Sequence, residues 1–573
     1  MYSATSLRNA LRVLIPIAVA CTFYLYLYPV FLGCAFPLPQ PAGQTELNNA
    51  AAFRDTLRQH VIPSSSSAAP FRLLALGDPQ LEGDTSIKNY NREPFLHWTW
   101  AMRHLTYKTE QPSLRWRLRQ VVHDLVDVVF EDIPDTLESI RKRIDLFGND
   151  FYLAHIYRTL RWWTRPTHVS VLGDLLGSQW IKDKEFARRS WRFWNRSFKG
   201  AERVPDEVAA YPLEEYDLAG LLGVEDSNAA AWRRRLINVA GNHDIGYAGD
   251  LTKARLERFE RAFGKAAYEL RFELPITNAN ANATIYDAEK NPESNRLSPE
   301  LRIVNINNMN LDTPAVDQSL QDKTYAFVND VVNTASAVEY SGHFTLVLTH
   351  IPLYKPEGVC VDAPYFTFHA GGGVKEQNQL SADASRGFLE GIFGLSGDPN
   401  AAGQGRGRRG VVINGHDHEG CDTYHYINQT AEGDNRQWRV TRWDNAQAAG
   451  IPGNSEIPGL REVTVRAMMG GYGGNAGLLS VWFDESTWEW EFEFTNCALG
   501  TQYFWWFVHL FDLITVVVIL TYGVVRILGA VGIDVENWSA AKAVVSDSIS
   551  TSKGAPKLVY NGNGNGTVHG DTK

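Results

Sequence analysis

The sequence predicts an α/β domain carried between two membrane-spanning helices. Three observations predict it. Two long runs without charge lie near the ends of the chain. Five short apolar segments between them each stop at residues able to bind a metal. A stretch of helical periodicity separates the first two of those segments. At 573 residues the chain can bury a large core, and 44% hydrophobic with 21% charged residues excludes a wholly disordered or fibrous protein. The formal charge of −10 offers no electrostatic footprint for nucleic acid. Five cysteines are too few for a disulfide scaffold.

The first element is residues 13–36, uncharged and longer than the ~20 apolar residues that cross a bilayer as a helix. Ala18-Val19-Ala20 admits a rival reading as a signal-peptide cleavage site, but the apolar run continues well past it, which favours a retained anchor. The second span is residues 503–525, entered through an aromatic belt and containing His509 and Asp512. An intramembrane aspartate marks either a functional site or a contact with the other helix or a lipid headgroup. Arg8 and Arg12 precede the first span and Arg526 follows the second, whereas Asp484, Glu485, Glu489, Glu491 and Glu493 precede the second. Positive-inside then puts residues 1–12 and the polar tail 526–573 in the cytosol and the middle in a lumen. Sequons at Asn195, Asn282 and Asn428 agree with lumenal placement. Residues 37–70 read as a linker, 71–484 as the domain and 485–502 as a second linker.

Within the domain, apolar strands run into Gly77-Asp78-Pro79-Gln80, Gly173-Asp174, Gly241-Asn242-His243-Asp244, Thr349-His350 and Gly415-His416-Asp417-His418. Ligands in layered α/β proteins collect outside the carboxyl ends of strands, so five such endings make one site. Two divalent metals clamping a phosphate ester need a bridging carboxylate with imidazole and oxygen ligands. Residues 93–163 form a helical insertion, where Val121, Val122, Leu125, Val128 and Val129 share a face, and whose Trp98, Trp100, Trp116, Arg115, Arg117 and Arg119 either line a substrate cleft or pack on the core. Gly371–Gly373 and Gly403–Gly410 lack the lysine and serine or threonine of a phosphate loop and read as ordinary loops.

The blocks resemble those of the calcineurin-like metallophosphoesterase superfamily, in its order, over residues 71–484. The resemblance implies a four-layer sandwich of two mixed sheets flanked by helices. It implies that Asp78 and His418 bind one metal, that Asp174 bridges, and that Asn242, His350 and His416 hold the second. His243 would act on the leaving oxygen as a general acid. Where the superfamily has a histidine, this chain has Gln80, a harder and weaker oxygen donor that leans the first site toward Mn²⁺.

Gly77–Gly83, Val171–Ile181, His350–Tyr354 and Lys375–Leu380 look like the branch that removes ethanolamine phosphate from the mannoses of GPI anchors. That implies a phosphodiesterase of the endoplasmic reticulum or early Golgi membrane, acting on GPI-anchored proteins, with their export machinery as a further partner. Gly415–Cys421 looks closer to the enzyme of the second mannose. Two rivals stay open: a non-catalytic escort that binds GPI glycans, and a membrane phosphatase for another phosphoester. If His350 and His416 share a metal, their loops emerge together, which brings Cys360 and Cys421 within disulfide reach in an oxidising lumen.

Overall fold

The computed structural model describes residues 4–39, 68–110, 113–213, 218–276, 298–431 and 437–532. It divides into two units, one made from the two end segments up to Tyr24 and from Phe507, the other spanning Leu25–Trp506.

In the first unit the apolar runs form helices. The full helices are Ala4–Phe31 and Gln502–Ala530, and their most apolar windows are only 22% and 6% buried, which a soluble core helix would not tolerate. Within this unit Thr22 Oγ1 donates to Asp512 Oδ2 at 2.7 Å, so the intramembrane aspartate contacts the other helix. The first helix stops short of Phe36 because Gly33 takes a left-handed φ of 67° while Cys34 N–H bonds back to Pro29 O. The expected tail from residue 533 lies outside the described residues.

The second unit holds two mixed sheets. One runs, edge to edge, Glu489–Ala498, Asn475–Asp484, Phe71–Leu76, His168–Val171, Arg235–Asn238 and Glu202–Arg203. The other runs Trp438–Arg442, Cys421–Ile427, Gly459–Thr464, Gly410–Asn414, His343–Leu348, Glu300–Asn305, Tyr268–Glu273 and Gly220–Leu221. Alternate residues of both sheets meet in one core: Leu73, Ala75, Ile237 and Leu479 from the first, Ile303, Leu346, Val411 and Val463 from the second, all 1% exposed or less. The five motif-bearing strands are parallel to their motif-bearing neighbours, Phe71 strand to His168 strand to Arg235 strand, and His343 strand to Gly410 strand. Their carboxyl ends therefore open at the same edge of the sandwich.

Residues 485–502 are not a linker. Glu489–Ala498 pairs along its full length with Asn475–Asp484, because Trp490, Phe492 and Phe494 alternate with acids and so give a half-buried strand. The insertion is helical as expected, in helices Leu96–Leu105, Leu114–Asp127 and Ile133–Thr164, with a π-turn at Val128–Asp132. Its five-residue face does not act as one surface: Val121 and Val128 are buried, while Val122, Leu125 and Val129 stay exposed.

Candidate metal centre

Four of the ligand-type side chains leave the end of a strand on a strained turn. Asp78, Gln80, Asp174 and His416 all have positive φ, between 39° and 73°, a conformation that costs roughly 1–3 kcal/mol for a residue with a side chain. Long-range bonds hold the turns there. Gln80 N–H donates to Asp174 O at 2.8 Å, His416 N–H to both Asp78 carboxylate oxygens at 3.1 Å, and His243 N–H to Asp174 Oδ1 at 2.9 Å. Asp244, which the sequence places in a motif without a role, accepts from the N–H groups of Gly241, Leu175 and Leu176 and so clamps two of the turns together.

The imidazoles are oriented from behind. His350 Nδ1 lies 2.7 Å from Leu172 O, which aims Nε2 at Asp174 Oδ1, 3.3 Å away, and at Asn242 Oδ1, 2.9 Å away. His416 Nε2 faces Gln377 O at 2.9 Å, leaving Nδ1 for the site. His418 Nδ1 faces the Tyr472 hydroxyl at 3.3 Å, leaving Nε2. A backbone or side-chain partner on the far nitrogen is what fixes the tautomer of a ligating histidine.

Two groups of ligand atoms result. Asp174, His350 and His416 form one, and Asp78, Asp174 and His418 the other, each within 4.8 Å and sharing Asp174. Their charge state suits cations. Burial pushes the Asp78 carboxyl up to about 8 and Asp244 up to about 7. Burial also raises Asp174, but His243 and His350 beside it bring it below the usual carboxylate range. Burial opposes charge on His350, yet Asp174 and Asp78 raise it to about 9. Burial lowers His418 and, with His350 nearby, takes His416 down to about 3, the neutral ligating form. Buried carboxylates short of positive charge, beside the neutral rings of His416 and His418, fit a pair of divalent metals, and the proton that Asp174 and Asp78 hold on His350 is the one a cation there would displace.

Gln80 reaches the same point, but with its amide nitrogen: Nε2 lies 3.0 Å from Asp174 Oδ2 and 3.1 Å from His418 Nε2. Ligation would need the amide turned so that Oε1 faces inward. His243 stands over the centre, with Nε2 3.7 Å from Asp174 Oδ2. Beside His416 and His418 opens a cleft of about 190 Å³, reached by Asp362, Tyr365, Asn378, Gln379 and Tyr472. A larger cavity of about 540 Å³ sits at the opposite ends of the strands, around Arg72 and His168, and is lined by none of Asp78, Asp174, Asn242, His350, His416 and His418.

Sequence reasoning missed the support beneath the His350 and His416 turns. Buried Glu462 accepts from Asn414 Nδ2 at 2.6 Å and Leu353 N–H at 2.8 Å, and pairs with Lys355 at 2.8 Å and His425 at 2.7 Å. No local signal marks these residues, because their partners are distant in sequence. Cys360 and Cys421 are joined, Cα atoms 5.8 Å apart, and so are Cys34 and Cys497, a pair the sequence does not suggest. Of the sequons, Asn195 is exposed but its Ser197 is fully buried, Asn428 is half-buried at a strand end, and Asn282 lies outside the described residues.

Two mixed sheets facing each other, with imidazole and carboxylate ligands sharing one aspartate at their common edge, define the class of metal-dependent phosphoesterases. The chain is 30% identical over 417 residues to Protein TED1 of Saccharomyces cerevisiae, covering 65% of this chain and 77% of that protein. It is 28% identical over 286 residues to an uncharacterized Schizosaccharomyces pombe protein, 49% and 57% covered. It is 21% identical over 324 residues to Metallophosphoesterase 1 of Danio rerio, 54% and 68% covered. No family model matches. The chain belongs to the calcineurin-like metallophosphoesterase superfamily, in the family of Protein TED1.

Proposed function

We propose that this protein is a dinuclear-metal phosphodiesterase of the endoplasmic reticulum lumen that removes ethanolamine phosphate from the second mannose of GPI anchors and so promotes export of the anchored proteins. The observation that carries the reading is the pair of ligand groups sharing Asp174 with His243 beside them. Two divalent cations, Mn²⁺ by the donor set, would be held by Asp78, Asp174, His418, Asn242, His350 and His416, and when bound they supply Lewis acidity to the phosphoryl group and activate the attacking water. The chain does the rest. Asp174 keeps the two halves of the site together, and the His243 ring protonates the departing mannose oxygen while the His243 backbone N–H stays tied to Asp174. Asp362, Asp417 and Glu419, with Tyr365 and Tyr472, surround the neighbouring cleft, a set suited to the ammonium of ethanolamine.

The test is turnover of a GPI glycan bearing ethanolamine phosphate on its second mannose by full-length protein with Mn²⁺, read by mass spectrometry. Loss of the ethanolamine phosphate group is the expected result. No turnover of the diester, with a phosphomonoester hydrolysed instead, would transfer the protein to the general membrane phosphatases. Gln80 in place of an imidazole favours one second reading, a glycan-binding escort; binding without turnover of either ester would establish it.

A further inference from the structure

The insertion carries an apolar surface that the described residues leave largely open, although the Arg196 guanidinium lies over the Phe147 ring at 5.7 Å. On its long helix, Ile133, Leu137, Ile140, Ile144, Phe147 and Phe151 recur at steps of four and three residues, which puts all six on one stripe about five turns long. Each is between 39% and 62% exposed. Single exposed apolar residues need no explanation, but a contiguous stripe marks an interaction site. The preceding helix and π-turn add Leu118, Val122 and Phe130, which are 52%, 63% and 75% exposed.

What covers the stripe follows from where its helix is fastened. Trp163 Nε1 donates to Tyr26 O at 2.9 Å, in the last turns of the first apolar helix. Tyr152 OH donates to Gly500 O at 2.6 Å, just before the second, and its ring meets Trp505 edge-on at 6.3 Å. Gly148 lies so close under the Trp506 ring that a Cβ there would stand 1.8 Å from it. The helix is thus fastened to the end of the first apolar helix and to the start of the second. Arg141 and Arg143 flank the stripe in the helical order, and Arg141 pairs there with Glu138 at 2.7 Å; basic side chains beside an apolar row suit a surface of lipid phosphates. The same helix touches the metal centre's approach, since Lys142 pairs at 2.7 Å with Glu82, two residues beyond Gln80.

We propose that the insertion, residues 96–164, lies in the bilayer surface as a third, non-spanning membrane contact and holds the metal centre close to lipid-linked substrate. This rests on the reading of the two apolar helices as membrane spans. The test places a nitrobenzoxadiazole label at Leu137→Cys or Ile144→Cys in full-length protein carrying Cys21→Ser, reconstituted without reductant in phosphatidylcholine and phosphatidylinositol vesicles. Val516→Cys serves as the spanning control and Glu138→Cys, on another face of the same helix, as the aqueous one. Lipids with a shallow nitroxide should quench labels at 137 and 144, placing them roughly 5–10 Å below the phosphates, while deep nitroxides quench 516 and neither quenches 138. Labels at 137 and 144 left bright while 516 is quenched would overturn the proposal and leave the spans standing. The same labels bright but shielded from soluble iodide would overturn it in favour of a protein partner. A bright label at 516 would overturn the spanning reading and this one with it.

Discussion

Replacing Gly173 by alanine tests whether the metal centre depends on the close approach of two turns. Gly173 has a φ of 96°, and a Cβ there would stand 2.2 Å from His350 Nδ1 and 2.7 Å from its Cγ, against an ordinary contact of at least 3.4 Å. The His350 ring must therefore retreat by more than 1 Å or the Gly173 turn must open. Either movement breaks the 2.7 Å contact between His350 Nδ1 and Leu172 O that aims Nε2 into the site. A misplacement of about 1 Å in a catalytic array costs roughly a hundredfold in rate, and the left-handed backbone adds about 1–2 kcal/mol of instability. The expected result is a folded protein with metal content reduced by mass spectrometry and hydrolysis of bis(4-nitrophenyl) phosphate down about a hundredfold. Gly471→Ala, next to Tyr472 but with nothing within 4 Å of its Cβ, is the matched control and should behave as wild type. Wild-type rate and metal content in Gly173→Ala would refute the packing argument and the role given to His350.

Asp174→Asn should abolish hydrolysis and lower bound metal from two ions while leaving the circular dichroism spectrum unchanged, since Asp174 belongs to both ligand groups; near-wild-type turnover would remove the dinuclear reading. Gln80→His puts an imidazole between Asp174 and His418, so activity should persist and extend to Zn²⁺. A metal series identical to wild type would show that position 80 does not reach a metal. Burial raises the Glu462 carboxyl, but Lys355 and His425 hold it down to about 2 from an ordinary 4.5. A depressed acid stabilises the fold above its unfolded value, so about 3 kcal/mol should be lost as pH falls from about 4.5 toward 2. Thermal melts should show a shallower acid limb in Glu462→Gln, and superimposable limbs would count against a charged network. Cys360→Ser with Cys421→Ser opens a loop of 61 residues, which the chain-entropy model values at about 4 kcal/mol. A melting temperature unchanged by the double substitution, with or without reductant, would show that the bond carries no stability.

That the ligand-type residues gather at one edge of the sandwich was legible in sequence because the pattern is written locally. A strand that must be buried is apolar for a few residues, and the ligand must follow it directly, so strand and ligand are read together at Asp78, Asp174, Asn242, His350 and His416. The two apolar helices were legible for a similar reason: crossing a bilayer demands an unbroken apolar run, although the helices begin at Ala4 rather than residue 13, end at Phe31 before the Gly33 cap, and continue to Ala530 rather than residue 525. Residues 485–498 show how local signals are lost. Their acids dominate the composition, and only the alternation with Trp490, Phe492 and Phe494 reveals a strand whose partner lies on the same hairpin.

Whatever depends on which distant surfaces meet was decided by the tertiary structure. Cys34 finds Cys497 across 463 positions, and Glu462 gathers Lys355, Asn414 and His425 only because two parallel strands and their neighbour stop side by side. The Gln80 amide meets Asp174 and His418 only because turns 94 and 338 positions away close on it. The heptad spacing of the stripe from Ile133 to Phe151 is present in the sequence, but periodicity says only that one face is apolar. That this face is left largely open, while the other side of the same helix packs Tyr152, Leu153, Ile156 and Leu160 inward, is settled by the fold alone, because burial is a property of neighbours and not of a residue.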